Sequence, residues 1–509
     1  MQLIGEMLDS TARLYPDKEA IVFEGLRITY RELISNSNKL ANGLRKLGIN
    51  KGDLVMVQLG NRPEIILSHY GIIKAGATAV PLNVMYVGHE ISYIGGDTGA
   101  KAIILDSQFM PVIQKIRSDL PDLKHIICVG DPIPDGAICF RDLISSSSEN
   151  IRPYDTSYDD IVSIIYTSGT TGRPKGATQT HRSILANVSS CCDFNKFNKD
   201  DRLLCALPLF NNFGINVVMM CAFYKGATLI VVERFDAEEV LRNITEQKAT
   251  YFGGTPTMFV YLLQVYDPSR HSVESLRVVN SGGAHCPGKV IEEVEKTFGV
   301  IHMDGYGQTE GCGFTTLNPI VGVRKRDSVG VPLSNIWIKI VDENFVKMSP
   351  REIGEIVEKG DVFSIHGYWR RPEINKETYT EGWFHSGDLG YLDEDGYVYV
   401  VDRKQDLIIT GGANIYPVEV EEILYTHPAV ALAAVIGIPD EVKGELAKAY
   451  IVLKEGKTAT EKEMIDYVRG RIAKYKAPKL VEFVKSLPQG PTGKILKREL
   501  RANVLGKMR

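Results

Sequence analysis

The chain has 509 residues, enough for two or three domains, each with its own core. Fifty-nine Lys and Arg against 63 Asp and Glu leave a net charge of −4, so the overall balance gives no sign of a nucleic-acid partner. The eight cysteines include no pair at zinc-knuckle spacing and lie mostly in apolar context, which suits free thiols in a reducing compartment.

Met1 is followed by Glu6 and Asp9 rather than by a basic and then apolar leader. No run reaches about eighteen uncharged apolar residues, and the most apolar one, Ile215 to Tyr224, reads as a buried helix. A soluble, cytoplasmic protein without a transmembrane segment is expected. Peripheral membrane contact and a homodimer stay open.

Residues 30–47 carry Leu33, Leu40, Leu44 and Leu47 at helical spacing. A strand at 55–59, a helix at 62–74 and a strand at 77–80 follow. Further strands are expected at 102–105, 125–129 and 161–166. Apolar strands alternating with helices predict a parallel sheet covered on both faces.

The strand Ile161–Tyr166 runs into Tyr166-Thr167-Ser168-Gly169-Thr170-Thr171-Gly172-Arg173-Pro174-Lys175-Gly176, where seven of eleven positions are Gly, Thr or Ser. Backbone N–H groups free of Cβ interference, hydroxyl donors and two cations suit an anion such as a phosphate. It is not a Walker A loop, because Pro174 stands where that pattern has its last Gly before the Lys.

A second run of alternating elements occupies 203–330. Asp236 and Glu239 resemble a capping box for a helix at 237–247, and strands are expected at 249–253, 276–280 and 300–303. After the last of these comes Gly305-Tyr306-Gly307-Gln308-Thr309-Glu310, at the end of a strand where ligand loops of parallel sheets lie. Glu310 reads either as a ligand for Mg²⁺ on a nucleotide phosphate or as a solvated loop carboxylate.

From 329 to 400 short strands and Gly- or Asp-containing turns predict a β-rich subdomain. Within it, Trp383-Phe384-His385-Ser386-Gly387-Asp388-Leu389-Gly390 places a carboxylate that can accept two ribose hydroxyls or cap its own turn. The last hundred residues read as a separate small domain: a helix at 418–424, strands at 430–436 and 447–453, and a helix capped by Thr460 and Glu463. Gly490-Pro491-Thr492-Gly493-Lys494 then forms a tight loop with a projecting lysine.

These motifs, in this order, resemble the adenylate-forming superfamily of acyl- and aryl-CoA synthetases, luciferases and peptide-synthetase adenylation domains, and within it the acid–CoA ligases, bacterial fatty-acid–CoA ligases especially. The resemblance runs from Thr29-Tyr30-Arg31-Glu32-Leu33 to Lys494. It also takes in Asp402-Arg403 and the Gly-Gly-x-Asn-Ile segment at 411–415. It implies an α/β fold with a large N-terminal domain (1–402) of two αβ subdomains and a small β-barrel-like subdomain. A small mobile α+β C-terminal domain (403–509) then carries the catalytic lysine.

The activity the resemblance implies is attack of a carboxylate on the α-phosphorus of ATP, followed by transfer of the acyl group from the adenylate to the thiol of coenzyme A. Thr167, Ser168, Gly169, Thr170, Thr171, Gly172 and Lys175 would hold the phosphates, and Glu310 the Mg²⁺. Gly282, Gly283 and Ala284 would lie along adenine and one wall of the acyl pocket, with Tyr306 stacked on the adenine, while Asp388 and Arg403 hold the ribose. Thr309, Glu310 and Lys494 would act in catalysis. Asn211, Phe213, Gly214, Gly305 and Gly307 would border the acid.

Rotation of the C-terminal domain about Gln405 would exchange the Lys494 loop for Gly411 and Gly412 at the thioester step. Two positions depart from the family: Gln405 replaces the usual Asp or Lys hinge, and Asn211 stands where CoA ligases commonly carry His. No Lys or Arg stands in the pocket segments 209–216, 251–259, 282–286 and 305–314, so a hydrophobic monoacid (fatty, alicyclic or aromatic) is the expected substrate. A stand-alone adenylation enzyme that loads a carrier protein, and a non-catalytic nucleotide-binding protein, are the alternatives.

Overall fold

The computed structural model describes residues 3–152, 154–167 and 174–508, with side chains as far as Val504. Among the described residues seven strands form one sheet, in the spatial order Ile138–Cys139, His125–Val129, Ala102–Asp106, Leu54–Gln58, Thr78–Pro81, Ile161–Thr167 and Lys175–Thr180. Neighbours are parallel except the last pair, in which the chain doubles back after the glycine-rich loop. Leu54–Gln58 is buried along its whole length, as a central parallel strand covered on both faces must be.

The helix expected at 30–47 spans Tyr30–Lys46, with Leu33, Leu40 and Leu44 fully buried. Thr29 caps it: its hydroxyl accepts from Glu32 N–H at 3.3 Å, and the Glu32 carboxylate accepts from Thr29 N–H at 2.8 Å. Such a cap is worth about 1 kcal/mol.

A nine-stranded sheet holds the second run. Its parallel centre comprises Ile301–Tyr306, Val278–Ser281, Tyr251–Gly254, Arg202–Cys205 and Thr228–Val231. The N-terminal hairpin Glu19–Thr29 joins this sheet through Ile21↔Leu229, although the helix that follows it packs on Pro63–Lys74 and Phe140–Ser145, helices that connect strands of the first sheet. Local pattern does not specify that crossover. The helix Ala237–Gln247 starts where expected, with the Asp236 carboxylate accepting from Glu239 N–H at 2.9 Å.

The β-rich subdomain is a five-stranded antiparallel sheet built on Trp383–Leu392. After Arg403 a second five-stranded sheet begins, packed by Pro417–Tyr425 and Glu461–Arg469 around its own core of Ile408, Val420, Leu424, Val435, Ile451, Met464 and Val468. The cysteines are free thiols, and among the described residues no helix is long and apolar enough to cross a membrane.

The run expected as a buried helix at 215–224 is buried and helical, but Phe213–Met220 is a π-helix and only Cys221–Lys225 is α. The second residue of the wider turn is Gly214, where a Cβ would lie 2.5 Å from the Pro208 carbonyl oxygen. Gly214→Ala must therefore shift backbone. A stability loss of about 1–3 kcal/mol by chemical denaturation is expected, as for other overpacked sites. Gly96→Ala, on a helix with nothing within 4 Å of the added methyl, should be neutral or stabilising. Equal stabilities for the two variants would contradict the packing argument.

Candidate active site

The ends of both parallel sheets and the antiparallel sheet converge on one cleft. Thr167 ends a strand of the first sheet and Lys175 begins its return, in direct register, with Thr167 Oγ1 3.4 Å from the Lys175 carbonyl oxygen. Ser168, Gly169, Thr170, Thr171 and Gly172 lie outside the described residues. The Lys175 ammonium stands 5.4 Å from the centre of the Tyr368 ring, and the Tyr368 hydroxyl donates to Glu310 Oε1 at 2.5 Å. One tyrosine thus links the phosphate-loop lysine to the expected metal ligand. Desolvation raises the Glu310 pKa above the ordinary range, with the Tyr368 bond opposing it.

Glu310 and Thr309 sit on a 3₁₀ turn just after the strand Ile301–Tyr306. Three buried amides fix that turn. Gln179 donates to the Thr309 carbonyl at 3.1 Å and to Asn212 Oδ1 at 2.8 Å. Asn216 donates to the same Asn212 oxygen at 2.6 Å and to the Cys312 carbonyl at 3.0 Å. Gly307 is sterically required: a Cβ there would fall 1.9 Å from the Gly313 carbonyl oxygen.

Asp388 and Arg403, expected at a ribose, come together with Tyr306. The Tyr306 hydroxyl donates to Asp388 Oδ2 at 2.8 Å, and Arg403 Nε lies 3.3 Å from Asp388 Oδ1. Asp388 and Arg403 are paired across two strands, so the sheet itself presents carboxylate and guanidinium together. The Asp388 charge raises the Arg403 pKa and keeps it a cation.

Lys494 reaches this cluster from the C-terminal sheet's side. Its loop is closed by Gly490 N–H on the Lys494 carbonyl at 2.9 Å, and it docks through Thr255 Oγ1 on the Thr492 carbonyl at 3.0 Å. Burial, with the Arg403 charge second, lowers Lys494 to about 8. Gln489 donates to the Tyr261 hydroxyl at 3.3 Å, and His285 Nε2 pairs with Glu422. Glu422 also accepts from Gly288 N–H at 3.3 Å. The Glu422 carboxylate raises the His285 pKa against its desolvation.

Gly411 and Gly412 form an exposed left-handed turn on the C-terminal sheet, bonded through Gly411 N–H to the Lys443 carbonyl, and are not among the converging residues. Gln405 is exposed in the turn that follows Arg403. Gly282 and Gly283 begin the loop after Val278–Ser281, with Ala284 next and Gly283 left-handed at φ +80°. Asn211 Oδ1 accepts from Phe213 N–H at 3.4 Å at the start of the π-helix.

Several buried groups carry no sequence signal of their own. Asp304 bonds to Ser281 beside adenine's expected loop and is raised to about 7 by burial. Glu358, bonded to Gln308, is likewise raised to about 7. Tyr368 and His285 are the other two. Each is a single residue in an ordinary strand or turn.

This geometry accompanies a family assignment. Residues 8–369 match the AMP-binding enzyme family, and 419–494 match the AMP-binding enzyme C-terminal domain. The chain belongs to the AMP-binding enzyme family. It is 36% identical over 522 residues to a long-chain-fatty-acid–CoA ligase of Bacillus subtilis (strain 168), covering 97% of this chain and 93% of that one. It is 35% identical over 491 residues to a feruloyl-CoA synthase of Amycolatopsis sp, covering 96% of each. The anthranilate CoA ligase AuaEII in complex with anthranoyl-AMP superposes with a TM-score of 0.94 at 30% identity, over all of this chain and 98% of the other. A score that high across both domains requires a similar domain orientation.

For an AMP-binding enzyme the Lys175–Tyr368–Glu310 line has a testable consequence. Tyr368→Phe removes one hydrogen bond to a carboxylate, worth about 1.5–3 kcal/mol. The kcat/KM for ATP should fall by about tenfold or more with the melting temperature nearly unchanged. An unchanged kcat/KM would show that Tyr368 does not position Glu310.

Proposed function

We propose that this enzyme is an ATP-dependent acid–CoA ligase that activates a hydrophobic monocarboxylic acid as its acyl-adenylate and transfers the acyl group to coenzyme A. The observation that carries this reading is the Tyr306–Asp388–Arg403 cluster with Lys494, from the far end of the chain, buried near enough to feel the Arg403 and Asp388 charges. That arrangement supports a role for Lys494 in joining an acid to the α-phosphate, beside a carboxylate able to hold a ribose.

In the first step a carboxylate oxygen bonds to the α-phosphorus as the bond to the bridging oxygen breaks, and pyrophosphate leaves with the electron pair. Charge builds on the phosphate oxygens, where Lys494 and the N–H donors of the phosphate loop stabilise it. The oxygen chemistry of Glu310, fixed by Tyr368 beside Lys175, fits Mg²⁺, which would neutralise charge on the phosphates. In the second step the thiolate sulfur, its proton given up to solvent, bonds to the acyl carbon, and AMP departs with the electron pair of the broken C–O bond.

Thr309 follows the same strand as Tyr306 and is assigned to the α-phosphate. Gly282, Gly283 and Ala284 are assigned to adenine. We place the domain division at 402/403 with the hinge at Gln405, so that withdrawal of the Lys494 loop brings Gly411 and Gly412 forward for the second step. Near-full-length similarity to proteins named as CoA ligases supports coenzyme A over a carrier-protein thiol as acceptor.

With ATP, Mg²⁺, a hydrophobic monoacid and coenzyme A, equal amounts of acyl-CoA, AMP and pyrophosphate are expected. ADP and orthophosphate would exclude adenylate chemistry, and transfer to a carrier thiol alone would favour the carrier-loading reading. Lys494→Ala should slow adenylation by an amount comparable with loss of a strong oxyanion donor, about 2.7–4 kcal/mol. Conversion of presynthesised adenylate to thioester should suffer far less. Equal losses in the two half-reactions would contradict the two-orientation mechanism.

A further inference from the structure

One face of the nine-stranded sheet carries a strip without side chains. Gly253 pairs with Asn280, and Ser281 with Asp304. One residue past Ser281, Gly282 stands between Thr255 and Gly305, and Gly253 lies one side-chain level deeper on the same face. Two phenyl rings fill this strip. A Cβ on Gly282 would lie 2.5 Å from Phe314 and 3.3 Å from Phe213. One on Gly305 would lie 2.8 Å from Phe314, and one on Gly253 3.2 Å from Phe213. The rings meet edge to face, with centroids 5.0 Å apart and planes at 65°.

Thr255, at the head of the strip, holds the Lys494 loop. The reacting end of the acid therefore belongs at the Thr255–Gly282–Gly305 level. At about 3.3 Å per residue the Gly253 level is only about 7 Å away. There the strip ends in polar atoms. The Tyr251 hydroxyl lies 2.7 Å from the Gly253 Cβ position. It and Asn280 Oδ1 are buried and have no hydrogen-bond partner among the described residues. An alkyl chain threaded past Phe213 would end against two buried polar atoms to which it offers no bond.

We infer that Phe213 and Phe314 select a compact ring acid, aromatic or alicyclic, whose body packs on the ring pair, and reject long unbranched chains that must displace both rings. This rests on the acid–CoA ligase reading and names its substrate class. Aromatic pairs favour such edge and offset packing, so a ring acid adds contact without rearrangement.

The test measures kcat/KM for AMP formation by the full chain with benzoate, cyclohexanecarboxylate and palmitate, in the presence of ATP, Mg²⁺ and coenzyme A. A ring acid should exceed palmitate by about tenfold or more, the discrimination a few apolar contacts supply. Phe213→Ala should raise palmitate relative to that acid by about tenfold or more. Phe314→Leu keeps the site apolar if the larger truncation fails to fold, and should move the ratio in the same direction. A native enzyme that prefers palmitate, or folded variants with an unmoved ratio, would overturn the size assignment while leaving the ligase reading intact. AMP formation with no acid at all would overturn the ligase reading itself.

Discussion

A lysine ammonium partly withdrawn from water and close to an arginine is unfavourable until an anion arrives. Lys494 is in that position: desolvation and the Arg403 charge both act against its proton, and the nearby Asp388 is already paired with Arg403. Asp388 and Asp406 favour the proton without offsetting the burial, which leaves the lysine poised for the anions that a nucleotide phosphate and a substrate carboxylate would bring. The loop is held there by Thr255 on Thr492, Gln489 on Tyr261 and the His285–Glu422 pair. Hydrogen bonds of this kind contribute about 0.5–1.5 kcal/mol each, enough to favour one orientation without locking it. The proposed withdrawal of this domain after the first half-reaction needs a hold of that size.

The acid and nucleotide sides share a scaffold. Gln179, Asn212 and Asn216 tie the Thr309–Glu310 turn to the π-helix that carries Phe213. Buried amide networks fix geometry strongly when most members are paired. π-Helical turns recur at functional sites because the widened helix re-aims side chains locally. Here Gly214 lets the helix press on the Pro208 carbonyl, and the ring of the preceding residue then reaches the glycine strip.

Much of this was legible before any coordinates. Amphipathic spacing located the helix at Tyr30–Lys46, and the strand His125–Val129 fell where its apolar run predicts. Tyr306, Asp388, Arg403 and Lys494 came from motifs whose residue types are unusual together; two sheets bring the first three into contact, and Lys494 lies near enough for the Arg403 charge to act on it. The N-terminal hairpin's crossover to the second sheet was not legible, because pairing between residues two hundred positions apart leaves no local pattern. Nor were Tyr368, Asp304, Glu358 and the His285–Glu422 pair. Their roles arise from burial and from partners on other elements, which a single side chain in a strand or turn does not announce. The π-helix escaped for a related reason: Ile215–Tyr224 is apolar on all sides and has no periodicity to betray its pitch.

The lowered pKa of the docked Lys494 can be observed directly. In a ¹³C-methyl-lysine NMR titration of the nucleotide-free enzyme, with Lys494→Arg used to assign the resonance, its midpoint should fall at about 8, charged below and neutral above. A midpoint near the ordinary lysine value of 10.5 would mean that the loop does not rest beside Arg403, and would contradict the account of how the active site is assembled.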